Sequence, residues 1–177
     1  MTGSPTGPDL ECRLDDETLQ LAVQVVAAAA AAGRTLATAE SLTGGLLGAA
    51  ITSVPGASVI YRGGLIAYAT DLKHTLGGVD ADRLAAEGAV SAGTAEALAA
   101  GAARACGADV GLALTGVAGP AQQEGHPAGT VFLGWYAGGS GHQLLRLTGD
   151  RAAIRRAAVT CALQRALEIM RVPSGIA

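Results

Sequence analysis

Aromatic side chains are scarce in this chain: one Phe, one Trp and three Tyr among 177 residues. Half of the residues are nevertheless hydrophobic, so a core must be assembled from Ala, Val, Leu and Ile. That favours many thin, closely spaced elements over a few large rings. Cysteine is scarce too: Cys12, Cys106 and Cys161 are odd in number and far apart. They offer neither a disulfide framework nor a C-x-x-C metal knuckle. Basic charge is not in excess, because 12 Lys and Arg face 15 Asp and Glu, a formal −3. A nucleic-acid binder rests on a basic surface and a membrane anchor on a polybasic run; neither is present. The apolar run 23–32 is Ala-dominated and too short to span a bilayer. Residues 1–14 lack the basic-then-apolar pattern of a signal peptide. The expectation is a cytoplasmic protein with no nucleic-acid or membrane partner.

Glycine is plentiful at 26 residues, clustered where a backbone must turn tightly or approach a ligand. Residues 1–14 read as a flexible leader, 15–172 as one domain and 173–177 as a tail. Asp15 or Asp16 caps a helix ending at Gly33. Residues 34–41 form a strand, followed by a helix over 46–53. Residues 58–61 and 64–68 are the next strands, with Arg62-Gly63 between them. Thr70 caps a short helix over 71–76 that carries Lys73. Asp80, Ser91 and Asp150 cap three further helices, the last running to about Met170. Strands are expected over 109–115, 129–137 and 142–148. This alternation predicts a single three-layer α/β/α domain around a mixed sheet.

Two strands end in hydroxyl residues and then break into glycine: Ala39-Glu40-Ser41-Leu42-Thr43-Gly44-Gly45 and Leu114-Thr115-Gly116-Val117-Ala118-Gly119-Pro120. Ligands in open α/β sheets sit beyond the carboxyl ends of strands, where such junctions wall a pocket. Each segment alone reads equally well as a plain turn. Neither is a Walker loop or a dinucleotide fingerprint, a Gly-x-Ser-x-Gly elbow or a Ser-x-x-Lys dyad.

The Ala-Glu-Ser-Leu-Thr-Gly-Gly segment resembles the C-terminal domain family of the competence/damage-inducible protein CinA, which includes stand-alone nicotinamide-nucleotide amidases. The resemblance continues through Tyr61-Arg62-Gly63-Gly64-Leu65-Ile66-Ala67-Tyr68, Lys73, Glu87-Gly88-Ala89-Val90-Ser91, Thr115 to Pro120, Pro127-Ala128-Gly129-Thr130-Val131 and Gly149-Asp150-Arg151. It implies a chain like the stand-alone form, with no cofactor and no metal. It also implies hydrolysis of nicotinamide mononucleotide to nicotinate mononucleotide and ammonia, by a chain that is a homodimer. Ser41 then stands as nucleophile, with Tyr68 and Lys73 as its catalytic partners. Thr115, Gly116 and Arg155 would hold the nucleotide, Arg151 and Arg156 lying close to the last. Residues 121–124 (Ala-Gln-Gln-Glu) replace a run of glycines frequent in the family, and Glu124 would repel a phosphate if it pointed inward.

An amide is a poor electrophile, so the serine must lose its proton as it attacks and the base must return it to ammonia. None of the three histidines is well placed by sequence, which leaves Lys73. A lysine base has to be neutral, far below its usual ~10.4, through burial or nearby cations such as Arg155. Glu40 would oppose this, but strand alternation sends it to the face opposite Ser41. Backbone N–H groups of Thr43, Gly44 and Gly45 are candidates for the oxyanion hole. The competing readings are a catalytically silent binding or regulatory module and an amidase of another small carboxamide.

Overall fold

The computed structural model describes residues 14–172; the expected leader and tail lie outside the described residues, apart from Leu14. Six helices and five strands follow one another as α1 (Asp16–Ala32), β1 (Leu36–Glu40), α2 (Leu46–Thr52), β2 (Tyr61–Ile66), α3 (Thr70–Thr75), α4 (Ala81–Glu87), α5 (Ala92–Cys106), β3 (Val110–Gly116), β4 (Thr130–Tyr136), β5 (Ser140–Arg146) and α6 (Arg151–Arg171). The sheet order is β2-β1-β3-β4-β5. β1 runs parallel to β2 and β3, and β4 and β5 are antiparallel. The expected mixed α/β architecture is present.

Helix starts follow local chemistry. Asp15, Asp80, Ser91 and Asp150 each accept a backbone N–H of the first turn they precede, which satisfies donors a helix cannot use itself. Gly33 and Gly107 close α1 and α5 in the left-handed conformation that glycine adopts without penalty. Thr70 does not cap α3; Ala69 stands there and no side chain bonds the turn. The expected break at Arg62-Gly63 is absent as well. Both residues lie inside β2, while residues 57–59 form a single 3₁₀ turn. The register of β2 shifts at this pair, Leu36 pairing with Tyr61 and Ala37 with Gly63, so Arg62 is the extra residue of a bulge, where glycine is commonly found.

Alternation along β1 divides its side chains between two dissimilar layers. Leu36, with Val110, Leu112 and Leu114 of β3, packs against α1, α2 and α6 in a core of Leu, Ile, Val and Ala. Ala37, Ala39 and Ala113 face Leu98, Ala99 and Ala102 of α5. On this second face the contact is backbone against backbone. A Cβ at Gly111 would lie 1.9 Å from the Ala99 carbonyl oxygen, and one at Gly134 would lie 2.2 Å from that of Ala95. The shortage of aromatics thus has a structural counterpart: α5 lies closer to the sheet than large side chains would permit.

Candidate active site

β1 hands the chain directly to the site. The Ser41 N–H still donates to the Leu114 carbonyl at 3.0 Å, so the serine is held by the sheet one residue beyond the strand. It follows the parity of Ala37 and Ala39 and faces the layer of α3 and α5. There the Lys73 side chain arrives from α3, itself only 2% exposed. Lys73 Nζ donates to Ser41 Oγ at 3.1 Å and to the Ala67 carbonyl at 3.0 Å. Burial pushes the Lys73 amine below its ordinary value, and the negative charge of Glu124 opposes that shift. The expected like-charge pressure from Arg155 is not the cause; desolvation is.

Glu40 takes the opposite face, as alternation requires, and does more there than sequence suggested. The residue is 2% exposed, and its carboxylate is fully engaged. It accepts the N–H groups of Gly45 (2.9 Å), Leu47 (3.0 Å) and Gly48 (2.8 Å), binding the start of α2 where donors are unmatched. The Gly44 N–H donates to the Ser41 carbonyl at 3.1 Å. The oxyanion donors expected at Gly44 and Gly45 are therefore engaged already. Among the described residues, the N–H groups of Leu42 and Thr43, and of Ala118 and Gly119 across the cleft, have no partner. Glu40→Ala should destabilise the fold by about 3 kcal/mol, because several buried or half-buried donors lose a charged acceptor. Chemical denaturation of the variant beside the wild type measures this.

A cleft of about 310 Å³ opens above the serine. Ser41 and Leu42 form its floor, Tyr68 and Arg151 one side, and residues 116–123 the other. Arg151 spans it, donating to the Gly119 carbonyl at 2.9 Å and to the Tyr68 hydroxyl at 3.0 Å. Arg155 is elsewhere. It donates to the carbonyls of Leu42 (3.1 Å) and Thr43 (2.8 Å), bracing the loop behind the serine rather than facing a ligand. Thr115 is buried and gives its hydroxyl proton to the Ala89 carbonyl at 2.6 Å.

Of the expected site residues, the structure thus brings Ser41, Tyr68 and Gly116 to the cleft, with Lys73 bonded to Ser41. Thr43, Gly44, Gly45, Thr115 and Arg155 do not line it. Arg151, which sequence reasoning ranked behind Arg155, has a legible signal: it directly follows the cap Asp150 and so opens α6. Glu124 turns its carboxylate to the Val90 N–H at 3.0 Å instead of into the cleft.

No histidine approaches Ser41. His74 Nδ1 pairs with the Val79 carbonyl and His142 Nδ1 with Glu96, while His126 meets Phe132 edge-on. Tyr61 is bonded to Thr38 and Trp135 is covered by Arg165, so Tyr68 is the aromatic ring at the cleft. Among the described residues, no group of three or more His, Cys, Asp or Glu is placed to hold a metal ion. No described helix is long and apolar enough to cross a membrane.

Fold and site together define a three-layer α/β domain whose cleft is lined by a serine bonded to a buried lysine. The chain belongs to the CinA family: the model of the CinA C-terminal domain matches residues 18–170. A CinA-like protein of Frankia casuarinae is 55% identical over 131 residues, covering 73% of this chain and 30% of its own length. One from Mycolicibacterium gilvum is 47% identical over 147 residues, covering 79% and 35%. The chain spans about a third of the length of the curated relatives it matches. Solved structures align over nearly their whole length. A CinA superfamily protein of Klebsiella pneumoniae has a TM-score of 0.84 at 35% identity, covering 86% of this chain and 97% of its own. The competence/damage-inducible protein CihA of Agrobacterium tumefaciens has 0.84 at 33%, covering 89% and 98%.

Proposed function

We propose that this chain is a nicotinamide-nucleotide amidohydrolase, converting nicotinamide mononucleotide and water to nicotinate mononucleotide and ammonia. The observation that carries the reading is the buried Lys73 amine, 3.1 Å from Ser41 Oγ and without an ion-pair partner among the described residues. Burial favours the neutral amine, the form a base requires.

Ser41 Oγ attacks the carboxamide carbon as its proton passes to Lys73 Nζ. The carbonyl oxygen becomes an oxyanion, for which the free N–H groups of the cleft residues Leu42, Ala118 and Gly119 are the available donors. Collapse breaks the carbon–nitrogen bond, and Lys73 returns the proton so that nitrogen leaves as ammonia. Water then attacks the acyl-serine ester, Lys73 accepts its proton, and Ser41 regains one as nicotinate mononucleotide departs. Tyr68 lies beside this path and offers its ring to the pyridine. Arg151, on the same side of the cleft, suits the phosphate because its planar guanidinium retains donors beyond the two now in use.

The deciding experiment follows ammonia and nicotinate mononucleotide when the purified protein meets nicotinamide mononucleotide. Absence of both products from folded protein would end the amidase reading. Arg151→Ala should raise KM for the mononucleotide about 10- to 100-fold more than it raises KM for the unphosphorylated riboside, the smaller common effect coming from the lost tie to Gly119. Steady-state kinetics on the two substrates checks this. A second reading, a binding module without turnover, is favoured by one observation: the Gly44 and Gly45 amides are already occupied. Mononucleotide binding by calorimetry with no ammonia release would favour that module.

A further inference from the structure

Beyond Gly116, where β3 ends, the wall of the cleft opposite Tyr68 belongs to no helix or strand. Residues 118–125 connect the end of β3 to the approach of β4, and only two side-chain hydrogen bonds join them to the rest of the described protein. Arg151 reaches the Gly119 carbonyl at one end. At the other, the Glu124 carboxylate accepts the Val90 N–H at 3.0 Å. Between these ties lie Ala121, Gln122 and Gln123, all of which line the cleft.

The backbone around Glu124 makes the second tie more than incidental. Gln123 and His126 exchange both N–H···O bonds, at 3.1 and 2.8 Å, around a two-residue turn in which Glu124 has φ 51° and Gly125 φ 77°. Two left-handed central residues define the hairpin turn that prefers Asn, Asp or Gly at its first central position. Glutamate is the non-glycine residue with positive φ in the described chain, so something outside the turn must hold it there. The anchor is itself fixed. Val90 is buried, the neighbouring Ala89 carbonyl accepts the Thr115 hydroxyl, and the Gly88 carbonyl accepts the Thr94 hydroxyl at 2.7 Å. Gly88 also leaves the carboxylate room, since a Cβ there would lie 2.5 Å from Glu124 Oε2.

We propose that Glu124 is a positioning residue that latches the 118–125 wall to Val90 and thereby sets the surface Gln122 and Gln123 present to the ligand. It touches no reacting atom; apart from its charge, which opposes the lowering of the Lys73 pKa and is lost in both variants below, it acts through the loop. The kinetic part rests on the amidase reading given above; the structural part does not.

Two variants test it. Glu124→Gln keeps an oxygen able to accept the Val90 N–H, and Glu124→Ala removes it. Amide hydrogen exchange followed by mass spectrometry reads the latch without any substrate. Exchange at Val90 and across 118–125 should accelerate about tenfold or more in Glu124→Ala and stay within about threefold of wild type in Glu124→Gln. With nicotinamide mononucleotide at a pH above the acid limb set by Lys73, where losing the Glu124 charge no longer changes the neutral fraction of the amine, Glu124→Ala should raise KM about tenfold while kcat changes less than about threefold, and Glu124→Gln should restore KM. Unchanged exchange in Glu124→Ala overturns the latch, as does a glutamine variant as loose as the alanine one. A loosened loop with unaltered KM overturns the positioning role. Wild-type protein that does not turn over the mononucleotide removes the amidase reading instead, and hydrogen exchange still decides the latch.

Discussion

Ser41→Ala should lower kcat for nicotinamide mononucleotide by about 10⁴-fold or more while the protein keeps its fold and its affinity for the product nicotinate mononucleotide. The structure explains why the two effects separate. The position of residue 41 is held by its main-chain bond to Leu114, which alanine retains, and its neighbours of the same parity in β1 are already Ala37 and Ala39. Only the hydroxyl is lost, together with one acceptor for Lys73 Nζ. Ammonia release measures the rate and product titration the binding. Activity within tenfold of wild type would remove the serine from the chemistry. A further signature concerns the pair: because serine and lysine act as a unit, Ser41→Ala combined with Lys73→Met should be scarcely slower than Ser41→Ala alone.

Lys73→Met should cost about 10²- to 10⁴-fold in kcat, the usual worth of a general base, and should also change how stability depends on pH. Methionine is unbranched and of similar length, so it can occupy the buried channel of the lysine stem. The Ala67 carbonyl loses its N–H donor, which offsets part of what is gained by removing a buried amine. The pH dependence is the clearer readout. Burial lowers the native pKa of Lys73, whereas the unfolded chain titrates near ~10.4. Below the native value both states carry the proton, and the full penalty of burying charge is present. Between the two values the unfolded state binds a proton that the native state does not, so wild-type stability rises with pH by up to ~1.36 kcal/mol per pH unit. Denaturation of both proteins across neutral to alkaline pH should show this rise in wild type and not in Lys73→Met. Parallel curves would mean that Lys73 is charged in the native protein. The same native pKa should appear as the acid limb of kcat/KM, with activity increasing as the amine loses its proton.

Much of the domain was legible because its signals are local. Asp15, Ser91 and Asp150 cap helices through their own side chains, and the hydroxyl-then-glycine endings of β1 and β3 mark neighbouring strands of one sheet. What escaped depends on how elements fold against one another. Arg62-Gly63 has the composition of a turn, yet Gly63 pairs with Ala37 and Arg62 is absorbed as a bulge within the strand. Alternation gave the face of Glu40 but not its three amide partners, which exist only because α2 folds back over the end of β1. A lysine is ordinarily solvated, and nothing near Lys73 in sequence marks its burial. Choosing between Arg151 and Arg155 required knowing which turn of α6 faces the cleft. One turn apart on the same helix, they bind different things: Gly119 and Tyr68 for the first, Leu42 and Thr43 for the second.

The contact between α5 and the sheet has a consequence for how this sequence can drift. On the α1, α2 and α6 side, Leu, Ile and Val can exchange among themselves with modest repacking. On the α5 side, positions such as Gly111 and Gly134 admit no added carbon without displacing helix backbone. Lineages descending from this chain can therefore diversify one layer of the domain freely, while in the layer that shelters Lys73 the points of closest approach stay confined to glycine.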